Sequence, residues 1–235
     1  ASVSSVVRKV AARVGHKDRV SLVPGYFNES LSDELLRDRG LRPALLVDME
    51  PKVVRRALKT SARAAAWRFD DNRACSAQGG AGNNWARGHR RGGPQHRDRV
   101  LALVRREVED CDELDGFLLV QSLAGGTGAG LGTALAEALR DDYPGARLLN
   151  HCVWPYESGE VAVQSFNTLL SLGGLLEASD GVLLASNQEL HRVCQKRLGL
   201  ARPTFADLNA AGARALASVL LPYKVRDGRG GGARR

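Results

Sequence analysis

The sequence predicts an α/β domain, Rossmann-like, with a mostly parallel sheet and helices on both faces. Three observations carry this expectation. Short apolar runs alternate with helical spacings along the chain. Ala44–Val47 and Gly116–Gln121 read as buried strands, as expected of a sheet covered on both faces. Polar clusters at Asp48/Glu50, Ser122–Gly130 and Asn187 fall at the C-terminal ends of these runs, where open parallel sheets take their ligands.

Element by element, Val3, Val6, Val7, Val10, Ala11 and Val14 have helical spacing, so residues 2–14 read as a helix. Asp18–Gly40 reads as a loop with a short helix at its end. Ala44–Val47 is a buried strand that delivers Asp48 at its tip, and Pro51 opens a helix to about Ala65. The glycines and asparagines of Gln78–Gly93 mark a loop. Arg97–Asp110 is a helix with apolar positions Val100, Leu101, Leu103, Val104 and Val108. Gly116–Gln121 is a second strand. Ala124–Gly132 is a glycine-rich turn, which feeds a helix at Thr133–Arg140. Strands at Arg147–Val153 and Gly181–Ala185 alternate with helices at Ala162–Leu176 and Asn187–Leu198. Thr204–Leu220, behind Pro203, is the last helix.

Composition sets the outer limits. The chain has 235 residues, enough for one large domain or two small ones, and 43% hydrophobic residues, enough for a packed core. No apolar run reaches the ~20 residues of a membrane helix, and Ala1–Val14 has no apolar signal-peptide region. Cys75, Cys111, Cys152 and Cys194 are far apart with no CxxC pair, so they read as reduced thiols and not a zinc site. The net charge is +8, concentrated in Arg87–Arg99 and in a Gly/Arg tail. Domain organisation is therefore one domain over 1–222 and a low-complexity tail over 223–235.

Three segments carry chemistry. Gln121–Gly130 places four glycines between an apolar strand and a helix, where backbone N–H groups and the helix dipole favour an anion such as phosphate. It is neither a Walker A loop nor a dinucleotide fingerprint. A tight strand–helix turn is the plainer alternative. Gly79–Trp85 is a second loop that offers backbone amides and asparagine side chains, or else is only a turn. Asp48 and Glu50 before Pro51 form a carboxylate pair able to hold Mg2+ through its waters, or an ordinary helix cap.

Taken in this order, the segments resemble the tubulin superfamily. Gly80-Ala81-Gly82-Asn83-Asn84-Trp85-Ala86-Arg87-Gly88 is similar to one of its loops. Gly125-Gly126-Thr127-Gly128-Ala129-Gly130 is similar to its signature GGGTGSG, with Ala124 and Ala129 departing from it. The resemblance runs from about Ala44 to Pro222. Asp48–Val53, Val153–Tyr156, Ser158–Val161, Val163-Gln164 and Phe166-Asn167 point to the delta type within the superfamily.

The resemblance implies a nucleotide-binding domain for GTP or GDP with Mg2+. Ser122, Gly125, Gly126, Thr127 and Gly128 would hold the phosphates, and Ala81, Gly82 and Asn83 would cover the terminal one. Asp48 and Glu50 would organise the metal and its water. Gln164 stands at the ribose contact. Asn187 and Asn209 match the asparagines that read guanine, and Phe205 matches the stacking aromatic. The plainer alternatives are core packing for Phe205 and helix capping for the asparagines. The family further implies a cytoplasmic, cytoskeletal protein of microtubules, centrioles, basal bodies or cilia, with other tubulins or microtubule and centriole components as partners. Neither a membrane nor a nucleic acid is expected as a partner.

Two departures are expected to matter. The family's first strand and the loop beneath the nucleotide find no counterpart in Ala1–Gly40. The second domain, whose acidic loop attacks the neighbouring subunit's nucleotide, is also absent, so no residue here is assigned to catalysis. The expected domain is therefore incomplete at both ends. Two competing readings follow: an interaction fragment without nucleotide, and a polyanion binder using Arg87–Arg99 and the tail.

Overall fold

The computed structural model describes residues 20–24, 44–62, 69–109, 111, 114–158 and 162–220, with 20–24 and 60–62 described by their backbone alone. The sheet has six parallel strands in the order β3-β2-β1-β4-β5-β6. They are β1 (Val20–Pro24), β2 (Ala44–Asp48), β3 (Ala74–Ser76), β4 (Gly116–Ser122), β5 (Arg147–Trp154) and β6 (Gly181–Ser186). The helices are α1 (Pro51–Ala62), α2 (Gly93–Glu109), α3 (Gly132–Asp142), α4 (Gln164–Ala178), α5 (Asn187–Lys196) and α6 (Phe205–Leu220). Chain order reverses between β1 and β4, which makes that pair the switch point of the sheet.

The central strand runs are predominantly apolar because helices cover both faces of the sheet there. Leu45 and Val47 of β2, with Phe117 and Leu119 of β4, pack against Val100 and Val104 of α2 and Leu135 and Leu139 of α3. Their sequence neighbours Leu46, Leu118 and Val120 point the other way, onto Val54 of α1 and Ala213, Leu216 and Ala217 of α6. Each fully buried leucine contributes roughly 2 kcal/mol through removal from water. Among the described residues no helix is long and apolar enough to cross a membrane.

The expectation of a missing first strand is corrected. Val20–Pro24 lies within the segment read as a loop, yet it pairs with β2 on one side and β4 on the other. Ser21 and Pro24 interrupt its apolar pattern, so its five residues do not stand out as a strand. The sequence reading also passed over β3, a three-residue edge strand. The loop read as Gln78–Gly93 ends early, because Asn84 caps a helical turn at Trp85–Arg87. A π turn at Gly88–Gly92 then runs into α2. The expected helix over residues 2–14 and the tail over 223–235 lie outside the described residues.

A polar line crosses the core between β4, β5 and the end of α4. Gln121 Nε2 donates to Asn150 Oδ1 (3.0 Å), and Asn150 Nδ2 donates to Ser179 Oγ (2.6 Å). Next to Asn150, buried His151 has an unpartnered Nδ1, and burial pushes its pKa down from 6.5 to about 4. The unfolded chain therefore takes up this proton first as pH falls. Stability associated with neutral His151 is complete above pH 6.5 and is lost as pH falls through about 4. His151→Gln should remove an acid-side loss on the order of 3 kcal/mol, read as the difference between variant and wild-type urea midpoints from pH 7 to 4. Equal slopes for the two proteins would refute the assignment.

Candidate functional site

The glycine-rich segment leaves β4 at Ser122, turns through residues 123–126 and enters a π turn at Thr127–Leu131 that continues into α3. Ser122 Oγ accepts the Ala124 N–H (3.3 Å), and the Gly126 carbonyl accepts both Gly130 N–H (2.8 Å) and Leu131 N–H (3.2 Å). The N–H groups of Thr127 and Gly128 belong to the first turn and precede any intrahelical acceptor. They are donors at the positive end of α3's dipole.

Beside this turn lies the loop from Ala77 to Asn84. Ala77 N–H donates to the Asp48 carbonyl (3.2 Å) and Gly80 N–H to the Met49 carbonyl (3.1 Å), so the loop is tied to the tip of β2. Gly82 (φ 58°) and Asn83 (φ 51°) are left-handed, a conformation natural to glycine and tolerated by asparagine. The two segments meet backbone to backbone. A Cβ on Gly88 would overlap the Gly126 carbonyl oxygen, and one on Gly130 would overlap the Trp85 carbonyl. A Cβ on Gly126 would overlap Ala81 Cβ and stand 2.9 Å from the Asn84 backbone nitrogen and oxygen. Gly126 therefore has a packing reason to be glycine. Gly125 has room, with Asn83 Oδ1 the nearest atom at 3.7 Å from its Cβ position.

Asn167 on α4 joins the two segments. It is 3% exposed. Its Nδ2 donates to the Asn83 carbonyl (2.8 Å) and the Ala124 carbonyl (2.7 Å), and its Oδ1 accepts the Trp85 N–H (2.9 Å). Thr168 adds a bond to the Leu123 carbonyl (3.3 Å). Sequence reasoning assigned Asn167 no role. An asparagine between Phe166 and Leu169 is a polar interruption in an apolar helix, but its partners lie over 40 residues away.

At the tip of β2, Asp48 is 8% exposed and its Oδ1 accepts the Glu50 N–H (2.9 Å). Capping is thus one role this carboxylate performs. Burial is the largest influence on it and pushes its pKa up to about 6. Glu50 pairs with Lys52 (2.9 Å). Glu50, Lys52, Gly80 and Gly82 border a cleft of about 500 Å³. Among the described residues no group of three or more His, Cys, Asp or Glu converges on one point. Glu50 at the cleft, with buried Asp48 two residues before it, suits a cation held largely through water, and a cation would favour the ionised form of Asp48.

Further along the same edge of the sheet, Tyr156 gathers a second group. Its hydroxyl is 3.2 Å from His191 Nδ1, and its ring meets Phe205 edge-on with centroids 6.5 Å apart. Gln164 Nε2 donates to the Tyr156 carbonyl (2.8 Å). Phe205 is 67% exposed at the start of α6, which overturns core packing as its role. Asn187 opens α5, but Ser186 Oγ accepts the Glu189 N–H (3.4 Å) and is the cap. Asn209 is half-buried one turn along α6 from Phe205. The sequence marks Tyr156 only through the resemblance of Val153–Tyr156, and its bridging position depends on the fold.

The sequence-predicted residues therefore fall in two neighbourhoods at the carboxyl ends of the strands. Asp48, Glu50, Ala81, Gly82, Asn83 and the Ser122–Gly128 turn are tied together by hydrogen bonds and by Asn167. Gln164 and Phe205 meet at Tyr156, with Asn187 and Asn209 on the helices beside them.

Comparison with known proteins matches residues 23–195 to the Tubulin/FtsZ family, GTPase domain. The chain is 41% identical over 184 residues to the tubulin delta chain of Mus musculus, covering 78% of this chain and 40% of that protein. It is 40% identical over 179 residues to the delta chain of Homo sapiens, covering 76% and 40%. It is 35% identical over 208 residues to the tubulin beta-1 chain of Colletotrichum gloeosporioides, covering 88% and 44%. The chain thus spans about 40% of the length of the delta chains it matches. The family match takes in the end of β1 and both loops joined by Asn167, so this chain belongs to the Tubulin/FtsZ family and has the fold of that family's GTPase domain.

Proposed function

We propose that this chain binds GTP or GDP at the carboxyl end of its sheet and serves as a tubulin-type cytoskeletal subunit. The observation that carries the reading is the pair of loops joined by Asn167, with first-turn amides on one side and left-handed Gly82 and Asn83 on the other. Such a cradle suits a phosphate chain. Ser122, Gly125, Gly126, Thr127 and Gly128 would face the phosphates, and Ala81, Gly82 and Asn83 the terminal one. Gln164 would meet the ribose and Phe205 the base, while Asn187 and Asn209 would read guanine with their paired donors and acceptors. Mg2+, when bound, would offset phosphate charge, and Asp48 and Glu50 would hold its waters. Hydrolysis would need an acidic loop from a neighbouring subunit.

Likeness to delta chains supports a place in the cytoplasm at centrioles, basal bodies or cilia. It also supports other tubulins or microtubule components as partners. The competing reading as an interaction fragment loses one premise, because β1 occupies the position thought missing.

The test is a titration of the nucleotide-stripped chain with GTP and ATP in Mg2+. It includes Gly125→Glu, which places a carboxylate in the cradle where there is room for it. GTP should bind in preference to ATP, and the variant should weaken it by about 100-fold or more through unscreened like charge. Asn187→Ala should narrow the preference for GTP over ATP by about tenfold, the cost of about one hydrogen bond. A folded chain that binds neither nucleotide, or binds both equally, would overturn the proposal.

A further inference from the structure

We propose that Arg87, Arg90 and Arg91 form a docking cleft for a carboxylate-rich segment of a protein partner, at a site that borders the proposed nucleotide cradle at Ala81 and Gly82. The three arginines are spaced i, i+3 and i+4 across the helical turn and π turn that precede α2, which puts them on one face. The opposite side is wedged into the fold: Gly88 lies against Gly126, and Gly92 against the Met49 sulfur, 3.0 Å from its Cβ position. All three arginines are exposed, and with Gly82 and Asn84 they line a cleft of about 450 Å³. The Arg87 guanidinium lies over Gly82, 3.3 Å from where a Cβ would stand.

Nothing among the described residues neutralises this group. Neighbouring basic side chains do have acidic partners: the His89 ring meets Glu137 at 2.9 Å, and Arg97 approaches Asp141 and Asp142 at 3.6 and 3.8 Å. Arg87, Arg90 and Arg91 form no ion pair there, so three like charges share one helical face, which is unfavourable until an anion arrives. Guanidinium groups pair with carboxylates in two-pronged fashion.

The cleft favours an acidic peptide over a nucleic acid. Nucleic-acid surfaces combine a track of cations with free aromatic faces for stacking. Here Trp85, between the cleft residues Asn84 and Ala86, is stacked on His89 at 4.3 Å and 13°. Arg97 is paired, and Arg87, Arg90 and Arg91 converge on a cleft sized for a few side chains.

The experiment uses the full chain and two probes of similar charge, a fluorescent octaglutamate peptide and a single-stranded nonathymidylate. The peptide should bind, and Arg90→Glu with Arg91→Glu should weaken it by about tenfold or more. Arg106→Glu, the same charge change farther along α2, should leave it within about twofold. GTP titration of the double variant should match wild type, which separates this site from the nucleotide cradle. The proposal is overturned if Arg106→Glu weakens the peptide as much as the double variant. It is equally overturned if the oligonucleotide binds more tightly than the peptide and is lost with the same reversal.

Discussion

Gly126→Ala should destabilise the domain by about 3 kcal/mol or more, the upper range for forcing an atom into a filled site. The new methyl would collide with Ala81 Cβ and stand 2.9 Å from the backbone nitrogen and oxygen of Asn84. Two of these neighbours are backbone atoms, which cannot rotate aside. The collision therefore forces the Asn84 loop away from the glycine-rich turn. Gly173→Ala is the matched control. It lies in the middle of α4, is exposed, and has nothing within 4 Å of its Cβ position. That change should stabilise by about 0.5–1 kcal/mol, because alanine loses less backbone entropy in a helix. Urea unfolding of both variants measures the contrast. If Gly126→Ala is as mild as Gly173→Ala, the two loops are not in backbone contact.

Asn167→Ala should cost about 3–5 kcal/mol. Three hydrogen bonds are lost, each worth about 1 kcal/mol net, and the part-buried groups they joined are left without this buried side chain. The carbonyls of Asn83 and Ala124 and the N–H of Trp85 would all lose this partner. Asn167→Asp separates polarity from size. It keeps an acceptor for Trp85 but sets a carboxylate oxygen against two carbonyls now held at 2.8 and 2.7 Å from the amide nitrogen. It should therefore be no better than alanine at neutral pH. Hydrogen exchange gives the local readout: amides of residues 81–88 and 123–131 should exchange faster in both variants, while those of β4 and β5 keep their protection. Unchanged exchange in the two loops would remove Asn167 as their tie.

Much of the fold was legible because its cause is local. β2, β4, β5 and β6 are each legible to within one residue of their ends, since strands of a parallel sheet carry short, predominantly apolar runs between turn signals. The helices after the glycine-rich turn and after Pro203 were legible from spacing and from their flanking residues. β1 was not, because Ser21 and Pro24 dilute its pattern and only its pairing with two neighbours makes it a strand. The candidate site divides the same way. Ser122–Gly130 and Gly79–Asn84 announced themselves by glycine content, and Asp48 by its place at a strand tip. For Phe205 the sequence leaves core packing open beside base stacking, and its exposure removes core packing.

The sequence by itself determined that this is a parallel α/β domain with polar loops gathered at one edge, because apolar runs and glycine turns act through their immediate neighbours. Only the tertiary structure decided why particular glycines stand where they do and what joins the loops. Gly88, Gly126 and Gly130 look alike in sequence to glycines that merely turn the chain, yet each is held to glycine by a backbone from a distant segment. Asn167 takes partners from residues 83, 85 and 124. Such contacts depend on where the sheet brings separate segments together, and no periodicity along the chain encodes that meeting.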